Sequence, residues 1–274
     1  MVIRKLTLAE WFLRFQLLKL AKNHFYLPIE LDLDVTDLYQ YFESQNKRIP
    51  VTAYVIKLAA MLRKSAPYSH RIIFPTLFGP RLLEASQSIV NVPIILNEKG
   101  LEILTAITIK DADQKTLSEI NHEIKCAKQR PLKDYPIVNF VSRSKNNFIH
   151  RSLLRALYFL AYCVPQVYIK KGGGGICVSS LFNNHHEDFR NRPYAYGPTA
   201  LTFCLSSIVE LEKKYYLRLG IGYDHTAFSG NEVISCLKLL KDISNQFQHD
   251  FLNDLAYIPK EFQDRDEQIY PLQH

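Results

Sequence analysis

Cysteine is scarce and unpatterned in this chain. The five cysteines, Cys126, Cys163, Cys177, Cys204 and Cys236, are odd in number and widely spaced, and none forms a C-x-x-C pair. That excludes a disulfide framework and a structural zinc site, and it fits a reducing cytoplasm. Glycine (10) and proline (13) are too few among 274 residues for a linker-rich or collagen-like chain. Long apolar runs are also missing. The longest uncharged apolar stretch, Ala156 to Ile169, is interrupted by Pro165, and a spanning helix needs roughly 20 apolar residues. The N-terminus has no secretory-signal order of charged region, apolar run and small-residue cleavage site, so it reads as mature protein. No repeat, low-complexity segment or linker divides the chain, and residues 1–274 read as one α+β domain.

What is present is ordinary globular composition, 47% hydrophobic and 22% charged, with a formal net charge of +7. A bare basic balance suits nucleic acid or small anionic ligands such as nucleotide-bearing cofactors. With no recognisable nucleic-acid motif and no basic stripe, nucleic acid is set aside.

Hydrophobic periodicity orders the elements. Thr7 and Glu10 have capping-box spacing ahead of a helix running to about Ala21. From Phe25 to Asp34 the apolar residues fall at every second position, which predicts a strand with one wet face, and Pro28 places it at a sheet edge. Helices follow at Thr36 to Glu43 and Val51 to Lys64, then a β-hairpin over Ser88 to Lys110 around Asn97-Glu98-Lys99-Gly100. Asp113 is expected to cap a helix ending at Arg130-Pro131, and residues 131–147 read as irregular. Further on come a helix from Phe148 to Cys163, a strand from Ile176 to Leu181, and a loop from Phe182 to Tyr196. Strands at Thr199 to Leu211 and Tyr215 to Tyr223 lead to a helix from Gly230 to Phe247. The sheet is expected to be largely antiparallel or mixed.

The segment richest in chemistry is Gly222-Tyr223-Asp224-His225-Thr226-Ala227-Phe228-Ser229-Gly230, where a histidine falls between a strand end and a helix start. Taken alone it could be a satisfied turn residue. His185-His186-Glu187-Asp188 holds metal-ligand types, but four adjacent side chains do not converge on one ion, so no metal site is expected. Gly172 to Gly175 is followed by Ile176 and not by Gly-Lys-Ser/Thr; it is a tight turn rather than a phosphate loop. Cys177 shares a strand face with Ser179 but has no identified base partner, which argues against a cysteine nucleophile.

Five segments in order carry a resemblance. They are His24-Phe25-Tyr26-Leu27-Pro28-Ile29-Glu30-Leu31-Asp32; Pro50 to Ala60; Asn97 to Leu117; Gly173-Gly174-Gly175-Ile176-Cys177-Val178-Ser179-Ser180-Leu181; and Asp224-His225 with Gly230. Over nearly its whole length the chain resembles the chloramphenicol acetyltransferase-like superfamily, specifically the catalytic core of the dihydrolipoamide acyltransferases of 2-oxo acid dehydrogenase complexes.

The resemblance implies a chloramphenicol acetyltransferase-like two-layer sandwich with a mixed sheet, assembling as a homotrimer with active sites between subunits. It implies His225 as general base and Ser179 as hydrogen-bond donor to the carbonyl oxyanion, with Asp224, Ser229 and Gly230 supporting the loop. The family usually carries Asp four residues after the histidine, whereas this chain has Ser229, which with Glu232 can cap the following helix instead. The chain begins at the core's first helix without lipoyl or subunit-binding modules. The expected reaction is therefore stand-alone acyl transfer from acyl-CoA or a phosphopantetheine carrier to a small-molecule hydroxyl, amine or thiol. No permanently bound cofactor is expected, and the residues that would hold the donor are unknown. The alternative is a catalytically silent scaffold or partner subunit of a biosynthetic complex. For the apolar helix at 148–164, core or subunit packing is the first reading, and contact with a long acyl chain or a membrane surface is the second.

Overall fold

The computed structural model describes residues 6–23, 25–76, 79–98, 101–164, 167–168, 173–180 and 199–257. In chain order the elements are α1 (Leu8–Asn23), β1 (Tyr26–Asp34), α2 (Thr36–Ser44), α3 (Val51–Ser65), β2 (Arg71–Thr76), β3 (Gly79–Glu84), β4 (Ile89–Glu98), β5 (Leu101–Lys110), α4 (Leu117–Gln129), α5 (Pro136–Arg143), α6 (Phe148–Cys163), β6 (Ile176–Ser180), β7 (Leu201–Leu211), β8 (Lys214–Asp224) and α7 (Gly230–Tyr257). Single 3-10 turns precede β2 at Pro67–His70 and α5 at Leu132–Asp134.

Six strands form a mixed sheet in the order β1-β8-β7-β6-β4-β5. The central β6 runs parallel to both β4 and β7, and every other pairing is antiparallel. The edge position read from Pro28 is correct for β1. Strand alternation gives the two faces different chemistry. Ile221 and Leu219 of β8, Leu201 and Phe203 of β7, Ile176 and Val178 of β6, and Val90 and Val92 of β4 share one face and join the main core. Helices α2, α3, α4 and α7 pack there; α3 is central, with Tyr54, Ile56, Leu58 and Leu62 excluded from solvent. The opposite face carries small or polar side chains: Asn91, Cys177, Thr202 and Gly222 in one row, then Ser179, Cys204 and Gly220.

A second, smaller core lies between α1, α5 and α6, where Leu8, Phe12, Val141, Leu154 and Tyr158 are buried together. The Thr7–Glu10 capping box forms: the Thr7 N–H donates to Glu10 Oε2 at 2.8 Å and the Glu10 N–H to Thr7 Oγ1 at 3.2 Å. Among the described residues no helix is long and apolar enough to cross a membrane.

The structure departs from the sequence reading at four places. Thr116, not Asp113, caps α4, because its hydroxyl and Glu119 make a reciprocal capping box, while the Asp113 carboxylate pairs with Lys64 at 3.1 Å. Residues 131–147 are not irregular: Pro136 starts the short α5, whose only fully buried side chains, Val138 and Val141, are too few for a visible period. The β2–β3 hairpin went unread because Pro75 faces Pro80 within it, and proline weakens any strand signal. The final helix also extends ten residues past the Phe247 end read from sequence. The His185–Asp188 cluster, Gly172, Leu181 and the 182–196 loop lie outside the described residues.

Candidate active site

The site begins where β8 ends. Asp224, the last residue of that strand, is fully buried, and its Oδ1 accepts from the Phe25 N–H (3.2 Å), the Thr226 N–H (2.9 Å) and the Thr226 hydroxyl (2.7 Å). This is an Asx turn that also staples the start of β1 to the loop. The Asp224 carbonyl accepts from the Ala227 and Phe228 N–H groups at 2.9 and 3.1 Å, so the turn closes tightly around His225.

His225 is solvent-exposed and held at two points. Its N–H donates to the Phe25 carbonyl at 2.9 Å, and its ring Nδ1 lies 3.0 Å from the Phe228 carbonyl oxygen. A carbonyl only accepts, so Nδ1 carries the proton and the neutral ring presents its basic lone pair at Nε2. Phe25 lies nearly parallel to the imidazole at 6.5 Å and Tyr223 meets it edge-on at 6.0 Å, which restricts the ring's swing.

Ser229 forms the capping box expected of it. Its hydroxyl accepts from the Glu232 N–H at 3.3 Å and its N–H donates to Glu232 Oε2 at 2.9 Å. The other carboxylate oxygen of Glu232 pairs with Arg71 Nη1 at 2.8 Å. Hydrogen bonding from the Ser229 backbone, with the Arg71 guanidinium beside it, holds the Glu232 carboxyl below its usual range.

Arg71 was not read from the sequence, yet it ties the loop down. Nη1 also donates to the Ala227 carbonyl at 2.7 Å, Nε pairs with Glu84 at 3.1 Å, and the guanidinium lies over the rings of Tyr68 and Phe228 at 5.4 and 5.6 Å. A lone arginine at a strand start carries no sequence signal for such contacts, because its partners are remote in the chain.

Ser179 sits on β6 opposite Cys204 and is half-buried on the polar sheet face. The turn feeding it is built by close approach: a β-carbon on Gly174 or Gly175 would collide with the carbonyl oxygens of Ile89 and His70. The buried Asn91 clasps Gly174 from both sides, donating to its carbonyl at 3.0 Å and accepting its N–H at 3.2 Å. Asn91 too was missed from sequence. Cys177 is fully buried and its thiol is pushed far up by burial, as unsuitable for a nucleophile as the sequence suggested. Cys204 is pushed up to about 11 by burial, with a hydrogen bond from Ser179 pulling the other way.

The two candidate residues do not meet within one chain. Ser179 is level with Cys204 and Gly220, while His225 lies one residue beyond β8, five residues further along and two strands across. At about 3.3 Å per residue and about 4.8 Å between strands, their Cα atoms are on the order of 19 Å apart. Among the described residues no group of three or more His, Cys, Asp or Glu side chains is arranged to hold a metal ion.

The sequence matches no protein-family model and no curated protein sequence. The three-dimensional likeness is extensive: the chain has the chloramphenicol acetyltransferase-like fold, in the form seen in acyltransferase cores. In particular, it is similar to the truncated catalytic core of the 2-oxoacid dehydrogenase multienzyme complex from Thermoplasma acidophilum. There the TM-score is 0.63 at 15% identity, over 89% of this chain and 98% of that one. A probable dihydrolipoamide acetyltransferase from Listeria monocytogenes 4b F2365 gives 0.59 at 15% identity, over 90% and 95%. The dihydrolipoamide acetyltransferase of Azotobacter vinelandii gives 0.62 at 15% identity, over 91% and 93%; its structure was solved to define the catalytic roles of a serine, a histidine and an asparagine four residues after that histidine.

Proposed function

We propose that this protein is an acyltransferase that moves an acyl group from a CoA or acyl-carrier-protein thioester to a hydroxyl, amine or thiol of a small-molecule acceptor. The observation that carries this reading is the His225 ring, whose Nδ1 proton is committed to the Phe228 carbonyl so that Nε2 is the basic atom. In the proposed step Nε2 takes the acceptor's proton as its heteroatom attacks the thioester carbonyl carbon. The developing oxyanion accepts a hydrogen bond from the Ser179 hydroxyl, collapse breaks the carbon–sulfur bond, and the imidazolium returns its proton to the departing thiolate.

Ser179 and His225 of one chain are too far apart to serve one thioester. By its resemblance to acyltransferase cores, the active unit we propose is a homotrimer in which His225 of one chain faces Ser179 of its neighbour. Ser229 supports the reading rather than weakening it, since its capping box builds the loop without a carboxylate at that position. The Azotobacter enzyme likewise has an uncharged residue four places after its histidine.

Release of free CoA thiol from acyl-CoAs of increasing chain length, with His225→Ala alongside the wild type, tests the proposal. His225-dependent release is expected. Equal release from both proteins would sink it. Silence with acyl-CoAs and with carrier-bound acyl groups, together with recovery of a stoichiometric partner enzyme, would favour the silent-subunit alternative.

A further inference from the structure

Helix α6 buries Leu154 and Tyr158 against α1 and α5 and turns its other side outward. On that outer side Ile149, Leu153, Ala156 and Leu160 follow i, i+4, i+7, i+11 spacing and are all exposed. Ile149 is 73% exposed, and Phe148 at the helix start is 78% exposed. On the neighbouring helix Leu18 is 67% exposed. Isolated apolar residues at a surface are normal, but a continuous ridge of this kind is not.

Charge distinguishes the partners this ridge could have. The helices that make the small core, α1, α5 and α6 with the link between the last two, contain Arg14, Lys19 and Lys22 together with Arg143, Lys145, Arg151 and Arg155. Glu10 is their sole acidic residue, and it is engaged in the α1 capping box. Seven basic residues against one acidic residue leave +6, most of the whole chain's +7. Arg151 and Arg155 lie over the Trp11 indole at 5.3 and 5.5 Å, on the flank between the apolar ridge and α1.

We propose that this face docks on an anionic lipid surface, with the α6 ridge entering the headgroup boundary and the flanking Arg151 and Arg155 meeting lipid phosphates. An exposed apolar ridge beside a basic flank is the pattern of an interfacial helix. A second copy seated on the ridge would bring the Arg151 and Arg155 flanks of two chains, each on a basic helical unit, toward each other. A convex helix face also needs no complementary groove when its partner is a fluid bilayer. The inference does not depend on acyl transfer, so the two readings can fail separately.

Flotation of the full chain with vesicles decides it. Vesicles of phosphatidylcholine with about one-third phosphatidylglycerol should carry the protein at about 0.1 M salt, and pure phosphatidylcholine should bind at least about ten-fold less. Raising salt to about 0.5 M should weaken binding several-fold. Ile149→Glu/Leu160→Glu, at exposed positions, should keep the wild-type melting curve and lose vesicle binding. Arg151→Gln/Arg155→Gln should bind weakly and with reduced salt dependence. The proposal is overturned if anionic vesicles fail to bind, if neutral vesicles bind equally, or if the Ile149→Glu/Leu160→Glu variant floats like wild type. It is equally overturned if that variant changes only the oligomeric state, which would make the ridge a contact between copies.

Discussion

At the scale of single residues, His70 and Arg71 are adjacent in sequence and opposite in behaviour. Arg71 reaches out to Glu232, Glu84 and the Ala227 carbonyl. His70 is fully buried, with Nδ1 on Ser69 Oγ at 3.0 Å and Nε2 without a hydrogen-bond partner. Burial, with Arg63 nearby, pushes the His70 imidazole down to about 3. The folded protein therefore keeps His70 neutral where an unfolded chain would protonate it below about 6.5. Stability from this group is fully present above pH 6.5 and is lost as pH falls toward 3, at a limiting slope of about 1.4 kcal/mol per pH unit. Urea melts between pH 7 and pH 4 should show that slope in the wild type and a flatter one in His70→Asn. Arg71→Ala releases the loop and leaves Glu232 without its cation. It should lower turnover far more than it lowers the melting temperature, and NMR of the imidazole should show Nδ1 no longer held as a donor to Phe228.

At the scale of elements, the His225 loop is held from both ends, by the Asx turn of Asp224 at the end of β8 and by the cap of α7. Ser229→Ala removes one partner of the capping box and should cost about 1 kcal/mol, read as a shift in the urea midpoint. Ser229→Asp should leave the midpoint nearly unchanged, since Ser and Asp are comparable caps, with its carboxylate beside Glu232 the one unfavourable change. Much at this scale was legible beforehand, because the Thr7–Glu10 and Ser229–Glu232 capping boxes, the period-two β1 and the apolar faces of α3 and α4 are written in neighbouring residues. Short α5 and the β2–β3 hairpin were not, since each depends on a few contacts with distant elements. Nor were Asn91 and Arg71, whose roles exist only once Gly174 and Ala227 come beside them.

At the scale of the whole molecule, the sheet separates the candidate base from the candidate oxyanion donor by on the order of 19 Å within a chain. On the proposed reading a complete site would draw on two chains, and this has a direct test. Co-expression of Ser179→Ala with His225→Ala should produce mixed assemblies in which some interfaces pair an intact His225 with an intact Ser179. Thiol release from acyl-CoA should then reappear at a fraction of the wild-type rate, while each variant alone stays near background. Loss of one oxyanion donor typically costs roughly 100- to 1000-fold, so even a few restored interfaces would be visible. No recovery in demonstrably mixed assemblies would place the site within one chain.

The sequence by itself determined the order and type of most elements, the loop that presents His225 and the Ser229 cap. These are local properties, set by periodicity, turn chemistry and spacing between residues close in the chain. Only the tertiary structure decided that Nε2 is the basic atom of His225, that Arg71 and Glu232 clamp its loop, and that His70 is sealed in the core. It also separated the two apolar sides of α6, one filling a small core and one facing outward beside a basic flank. Those outcomes depend on which remote backbone carbonyls, charges and rings pack against each side chain, and no local pattern records that.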